Sequence, residues 1–191
     1  MIVVAVQEYS VPSAGVDSVD IVLEEEYEVE GLGRDIVRLE GLLVADRAAP
    51  LLERGSTTVD WETSTVVARF TSLDVRGSSE TFGAVRVILD PGTPSFGLVR
   101  GGDCKATLSV IVSMPDHDLT LKTAEPVQLQ SQVSTVPPIG DERTISVGAV
   151  QLVDLTTQRS LGSLQSARVM WRELVAQISH ERPVGNTGQA T

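Results

Sequence analysis

Apolar residues recur at every second position over most of this 191-residue chain. Such alternation fits half-buried β-strands, whose successive side chains point to opposite faces, and conflicts with the 3.6-residue repeat of a helix. Val, Thr, Ile and Leu dominate the alternating runs, and Gly or Pro clusters punctuate them: Gly31-Leu32-Gly33, Asp90-Pro91-Gly92-Thr93-Pro94, Gly101-Gly102 and Pro137-Pro138-Ile139-Gly140. Turn chemistry at strand-length spacing predicts an all-β fold, an antiparallel β-sandwich or barrel of about ten strands.

The clearest unit is a hairpin over residues 20–46, with strands Ile21–Val29 and Ile36–Leu43. A turn centred on Leu32 would set Glu30 against Arg34, Glu26 against Arg38, Tyr27 against Val37 and Leu23 against Gly41, because turn geometry fixes register. The odd face then collects Ile21, Leu23, Tyr27, Val29, Val37, Leu39 and Leu43 as core. The even face carries Glu24, Glu26, Glu28, Glu30 and Arg38 toward water, with Leu42 and Val44 farther along. A second hairpin is expected over Cys104–Thr123, with Ala106, Leu108, Val110, Val112 and Met114 on one face and Pro115–Asp118 as its tip. A third joins Val150–Asp154 to Leu161–Leu164 through Thr156–Arg159. Further strands are expected over Thr65–Val75, Phe82–Leu89, Pro126–Ser134 and Arg143–Val147.

One segment departs from the pattern. Leu164, Ala167, Trp171, Leu174 and Ile178 follow helical spacing, which predicts a C-terminal helix over 164–178. The chain is expected to form a single β domain over 1–179 with a flexible tail over 180–191.

Charge narrows the function classes. The formal net charge is −11, and Lys105 and Lys122 are the only lysines among fifteen basic residues. Phosphate neutralisation supplies most nucleic-acid affinity, so neither nucleic acid nor an anionic membrane is an expected partner. Arginine in place of lysine is a compositional association with GC-rich bacterial genomes. No run of about 18 apolar residues is present, and the short apolar start Met1–Val6 lacks the basic leader and cleavage pattern of a signal peptide. The expected location is cytoplasmic.

Candidate chemical groups are few. Glu25 shares the core face of its strand with Leu23 and Tyr27, where a carboxyl must be paired or line a polar cavity, and where desolvation would raise its pKa toward general acid–base use. The plainer expectation is a bulge or one-residue slip that turns Glu25 outward. The stripe Glu24, Glu26, Glu28 and Glu30 suggests calcium, but residues two apart on a strand lie about 7 Å apart, and a solvated face that discourages edge pairing is the better explanation. Asp116-His117-Asp118 reads as a hairpin tip rather than a ligand set. His117 and His180 are the two histidines, and without a Gly-x-Ser-x-Gly elbow a serine hydrolase is not expected. The single cysteine, Cys104, has no CxxC partner and reads as structural. The glycine pairs lack the following helix of a phosphate loop. Trp61, between Asp60 and Glu62, reads as a lid on the core edge rather than a stacking platform. No cofactor and no metal are expected.

Three function classes remain, the third being a cation-dependent module that uses the acidic stripe Glu24, Glu26, Glu28 and Glu30. The first is a non-catalytic binding or assembly protein, self-associating or binding a protein partner, with residues 2–6 adding a strand to a neighbouring sheet. The alternative is a barrel binding a small apolar ligand, with or without cofactor-free isomerase or cyclase chemistry, using Glu25 and Tyr27 and closed by Trp171.

Overall fold

Among the described residues, twelve strands pair antiparallel into one sheet, and the first and last of them in the chain meet. The computed structural model describes residues 13–48, 65–100, 103–133 and 142–170. The strands are β1 (Ser13–Val29), β2 (Gly33–Ala48), β3 (Thr65–Ser79), β4 (Gly83–Leu89), β5 (Ser95–Arg100), β6 (Asp103–Leu108), β7 (Val110–Met114), β8 (Leu119–Thr123), β9 (Val127–Val133), β10 (Glu142–Ser146), β11 (Val150–Asp154) and β12 (Ser160–Met170). A 3₁₀ turn, Pro115–His117, lies between β7 and β8.

The pairings resolve this into an up-and-down barrel. β3 pairs with β4 along one half and with β5 along the other, so β4 and β5 are two segments of one stave. By the same logic β6 continues into β7, β8 into β9, and β10 into β11. With β1, β2, β3 and β12 running whole, the described residues form eight staves, each antiparallel to its sequence neighbour. β12 then pairs with β1 from Val22↔Met170 to Val29↔Gly162 and closes the ring. Closure decides barrel over sandwich.

The interruptions are bridged without breaking the wall. Across the β4/β5 and β6/β7 gaps, Asp90 N–H donates to the Ser109 carbonyl at 2.8 Å. Ser109 N–H donates to Ser95 Oγ at 3.0 Å, and Val110 N–H to Thr123 Oγ1 at 3.1 Å. Ala124 N–H reaches the Gln151 carbonyl at 2.9 Å, and Val147 N–H the Gln128 carbonyl at 2.9 Å. Buried hydroxyls thus stand in where a ladder partner is missing, which avoids the cost of an unsatisfied buried amide. The Asp90–Pro94 turn, expected to end a strand, leaves the chain on course along the same stave.

The first hairpin keeps the expected faces with a different turn. The observed register pairs Val29 with Gly33, Glu28 with Arg34, Glu25 with Val37 and Leu23 with Leu39. The turn centres on Gly31 rather than Leu32, with Gly31 at φ +81°. Each partner moves by two residues, so every side chain stays on its face. All seven expected core residues of the hairpin are buried, as are Ala106, Leu108, Val110, Val112 and Met114.

The expected helix is not what residues 164–170 form; they are the second half of β12. Between the pairs Glu26↔Ser166 and Tyr27↔Leu164 the register shifts and Gln165 is the extra residue of a β-bulge. A bulge puts successive inward residues three apart, so Leu164 and Ala167 imitate one helical turn. Residues 171–178, including Trp171, lie outside the described residues, as do Trp61, His180, the tail 180–191 and residues 2–6 with their expected added strand.

The interior is apolar and the outer face of β1 and β2 carries charge, the reverse of a membrane-spanning barrel's polarity. Among the described residues no helix is long and apolar enough to cross a membrane.

Candidate functional site

Glu25 points into the barrel. It is 4% exposed and follows Ile21 and Leu23 along the inward face of β1, ahead of Tyr27 and Val29. Its register partners are Val37 on β2 and Ala167 on β12, both buried. The outward slip expected for three consecutive glutamates does not occur. Glu24 and Glu26 take the outer side, where Arg38 and Arg168 each approach Glu24 at 3.7 Å and Arg34 pairs with Glu26. A bulge does fall beside this segment, but its extra residue is on β12, and β1 keeps its alternation.

Tyr27, fully buried, donates its hydroxyl hydrogen bond to Oε2 of Glu25. The Tyr27 ring meets Phe82 edge to face, with centroids 6.3 Å apart and planes at 87°. This T-shaped contact fixes the ring from the β3–β4 turn. Burial raises the Glu25 carboxyl from its ordinary 4.5 to about 8, because removing a carboxylate from water penalises the charged form.

Among the described residues, four of the other five buried polar ones have structural work. Ser95, Ser109 and Thr123 bridge the stave gaps. Ser163 accepts from Gln165 Nε2 at the β12 bulge. Among the described residues Glu25 is the one buried side chain of acidic or basic type, and Tyr27 is its hydrogen-bond partner.

Toward the end closed by short turns, Tyr27, Val29, Phe82, Met114, Leu121, Leu152 and Leu164 are almost wholly buried. Two hydrogen bonds tie that end's hairpins together. Asp116 Oδ2 accepts from Ala84 N–H at 2.9 Å, and Asp35 Oδ2 from Thr81 N–H at 3.4 Å. Beyond Glu25 the inward positions include small Ala45, Gly97, Ala106 and Thr144 and large Leu23, Leu39, Leu43, Leu73 and Leu129, with Phe70 laid against Gly97. An eight-stranded barrel is wide enough either to be filled by side chains or to hold one small molecule. Here the short-turn end is lined by large groups and the other by large and small ones together, with the Glu25–Tyr27 pair between them.

The other candidates resolve plainly. Asp116, His117 and Asp118 form the β7–β8 tip, with Asp118 left-handed at φ 53° and Asp116 engaged with Ala84. Among the described residues no three His, Cys, Asp or Glu side chains are grouped to hold a metal ion. Cys104 is the second residue of β6. Phe82 and Ala167, which bracket the pair, escape sequence reasoning, since a turn phenylalanine and a bulge-adjacent alanine carry no local signature.

A family model described as a family of unknown function, DUF6073, matches residues 3–180. No curated protein matches the chain. Among solved structures, DynF from the dynemicin biosynthesis pathway of Micromonospora chersina is similar, with a TM-score of 0.69 and 22% identity over 83% of this chain and 80% of that one. At that identity the likeness speaks for the fold.

Proposed function

We propose that this chain, a member of the DUF6073 family, binds a small, mainly apolar molecule inside its barrel, with the Glu25–Tyr27 pair as the polar anchor. The observation that carries the reading is a carboxyl enclosed in an apolar barrel, held by one tyrosine hydroxyl, with no buried cation beside it among the described residues. A buried carboxyl that contributes only to folding is a liability, since an apolar residue of similar size would cost less. A shaped apolar cavity with a few placed polar groups is the common form of a small-molecule site. A carboxyl whose pKa lies near 8 also suits proton transfer to or from such a ligand, as cofactor-free isomerisation or cyclisation requires. The fold's likeness to DynF, a protein of a biosynthetic pathway, agrees with this reading.

The filled, short-turn end leaves the opposite end as the route for a ligand. Nile red, a neutral dye that brightens in apolar surroundings, tests the reading directly. The expected result is saturable brightening at one dye per chain, abolished in Ala167→Phe, a variant that puts a phenyl ring beside Glu25. Dye binding that is absent, or indifferent to that substitution in a folded variant, overturns it.

An assembly role takes second place. Its observation is the exposure of Ile36 (63%) and Leu42 (48%) on the outer face of β2. Arg38 and Glu40 lie between them and pair with each other at 3.1 Å, so the two do not make one apolar patch.

A further inference from the structure

We infer that the ligand is uncharged and is anchored through a hydrogen-bond acceptor, a carbonyl oxygen foremost, seated against Oε1 of Glu25. This rests on the reading of the barrel as a small-molecule site and narrows it to a chemical class.

Donors and acceptors decide the class. The Tyr27 hydroxyl proton is committed to Oε2 of Glu25. Oε1 is the carboxyl oxygen left to face a ligand, and at neutral pH burial keeps a proton on the acid. The pair therefore offers one O–H donor to the interior, and a donor is complemented by an acceptor. A carboxylate or phosphate ligand fits poorly. No Lys, Arg or His is buried among the described residues, so an anion would enter an apolar interior without a countercharge. A cationic amine fits poorly for a different reason. It could take the Glu25 proton's place as partner, but an ammonium has three donors. The buried hydroxyls of Ser95 and Thr123 are already engaged in bridging the stave gaps, and Thr144 is not without a partner; an ion pair missing such bonds does not offset its desolvation. A neutral ketone, aldehyde, ester or quinone carbonyl needs only the donor that is present.

Small and large side chains stand together around the pair. Ala167 is Glu25's register partner on β12, and Leu23 and Tyr27 flank it on β1. An apolar body lying over the small residues would bring its polar atom to Glu25.

Four compounds built on one naphthalene ring test the class on the full chain: naphthalene, 2-acetylnaphthalene, 2-naphthoate and 2-(aminomethyl)naphthalene, with affinities measured by titration from pH 6 to pH 9. The ketone is expected to bind at least about tenfold more tightly than naphthalene at pH 6.5, the value of one well-made hydrogen bond. Naphthoate and the amine are expected to bind more weakly than the ketone. The ketone's advantage should fade as pH rises past about 8, where the wild-type acid ionises, and should lose that pH dependence in Glu25→Gln, whose amide keeps a donor. Naphthoate or the amine binding as tightly as the ketone overturns the inference while leaving the barrel site standing. So does a ketone advantage indifferent to both pH and a folded Glu25→Leu variant. Failure of all four, naphthalene included, removes the small-molecule reading itself and this inference with it. If the leucine variant does not fold, the wild-type pH profile and the glutamine variant decide.

Discussion

The hydroxyl of Tyr27 donates to Oε2 of Glu25 two residues earlier on the same inward face of β1. Residues i and i+2 of a strand share a face and stand about 7 Å apart at their Cα atoms, so a long tyrosine can reach back to a glutamate without leaving the strand's geometry. The same contact supplies the carboxyl's partner and places an ionisable group where water is excluded.

That burial predicts a pH-dependent stability with a definite sign. The folded pKa of Glu25 is raised from 4.5 to about 8. Below 4.5 both folded and unfolded chains carry the proton and no penalty exists. Between the two values the unfolded chain releases the proton while the folded one holds it, so stability falls as pH rises, levelling off above about 8. The loss across the window is on the order of a few kcal/mol. Glu25→Gln lacks this proton. Its urea midpoint is expected to match or fall slightly below wild type at pH 5 and to exceed it at pH 8. Parallel pH profiles of the two proteins would contradict the buried acid.

Tyr27→Phe keeps the ring packed on Phe82 and removes only the hydroxyl. The Glu25 carboxyl then loses its partner inside the barrel, and a loss of about 1 to 3 kcal/mol is expected. Because the variant also strips a group that favours the ionised acid, the Glu25 pKa should rise further. Chemical denaturation at pH 6 gives the first quantity, and carboxyl titration by NMR gives the second.

At the short-turn end, Asp116 joins the β7–β8 tip to the start of β4 through Ala84. Asp116→Ala is expected to cost about 1 kcal/mol, in the range of one charge-assisted hydrogen bond to a backbone amide. Amide exchange should quicken at Ala84 before it changes in β1 or β12. A uniform rise in exchange across the barrel would mean that the contact is not local.

Asp74 offers the contrasting case of a surface carboxyl. Arg86 and Arg76 hydrogen-bond it and hold its pKa down to about 2, with Arg86 Nη2 at 2.8 Å. The contribution is present above the ordinary carboxylate pKa and disappears as pH falls through about 2. Exposure and salt screening reduce it, and Asp74→Asn is expected to cost under about 1 kcal/mol at pH 7. A larger loss at pH 7, or one insensitive to salt, would show that the cluster does more than decorate β3 and β4.

The alternation in β1 and β2 makes their inward faces legible in the sequence, and with them the odd position of Glu25. The turn centre lies one residue from where the glycine spacing puts it, yet the resulting partner shift of two preserves both faces. Where alternation breaks, legibility ends. The Gln165 bulge turns Leu164 and Ala167 into the semblance of a helix. In β3 the pairs Val44↔Ser72 and Ala45↔Phe70 leave Thr71 extra, so inward Phe70 and Leu73 are likewise three apart. Closure is invisible in the sequence, because the β1–β12 pairing is a contact between distant parts of the chain with no local signature. Glu25's orientation is not fixed locally either, since three adjacent glutamates fit either face until the neighbouring arginines of β2 and β12 are in place.

Two glycines show how tightly that closed wall is drawn. Gly41 on β2 pairs with Val75 and Gly77 on β3 pairs with Leu39, adjacent inward positions along the same seam. A Cβ at Gly41 would stand 1.9 Å from the Asp74 carbonyl oxygen, and one at Gly77 would stand 2.0 Å from that of Arg38. Neither contact is with a flexible side chain; both are with the backbone of the partner strand, so no rotamer change can relieve them. The two strands approach so closely that only glycine fits, as at a bend in a barrel wall. Gly41→Ala and Gly77→Ala are each expected to destabilise the protein by about 3 kcal/mol or more, since the seam must part to admit the methyl group. Gly31→Asn serves as the control. A Cβ there meets nothing within 4 Å, and asparagine accepts the left-handed backbone of the turn, so its cost should stay under about 1 kcal/mol. Thermal unfolding of the three variants separates the cases. If the alanines at 41 and 77 melt no lower than the Gly31→Asn control, the strands are not held at this distance, and the barrel is wider at the seam than its geometry indicates.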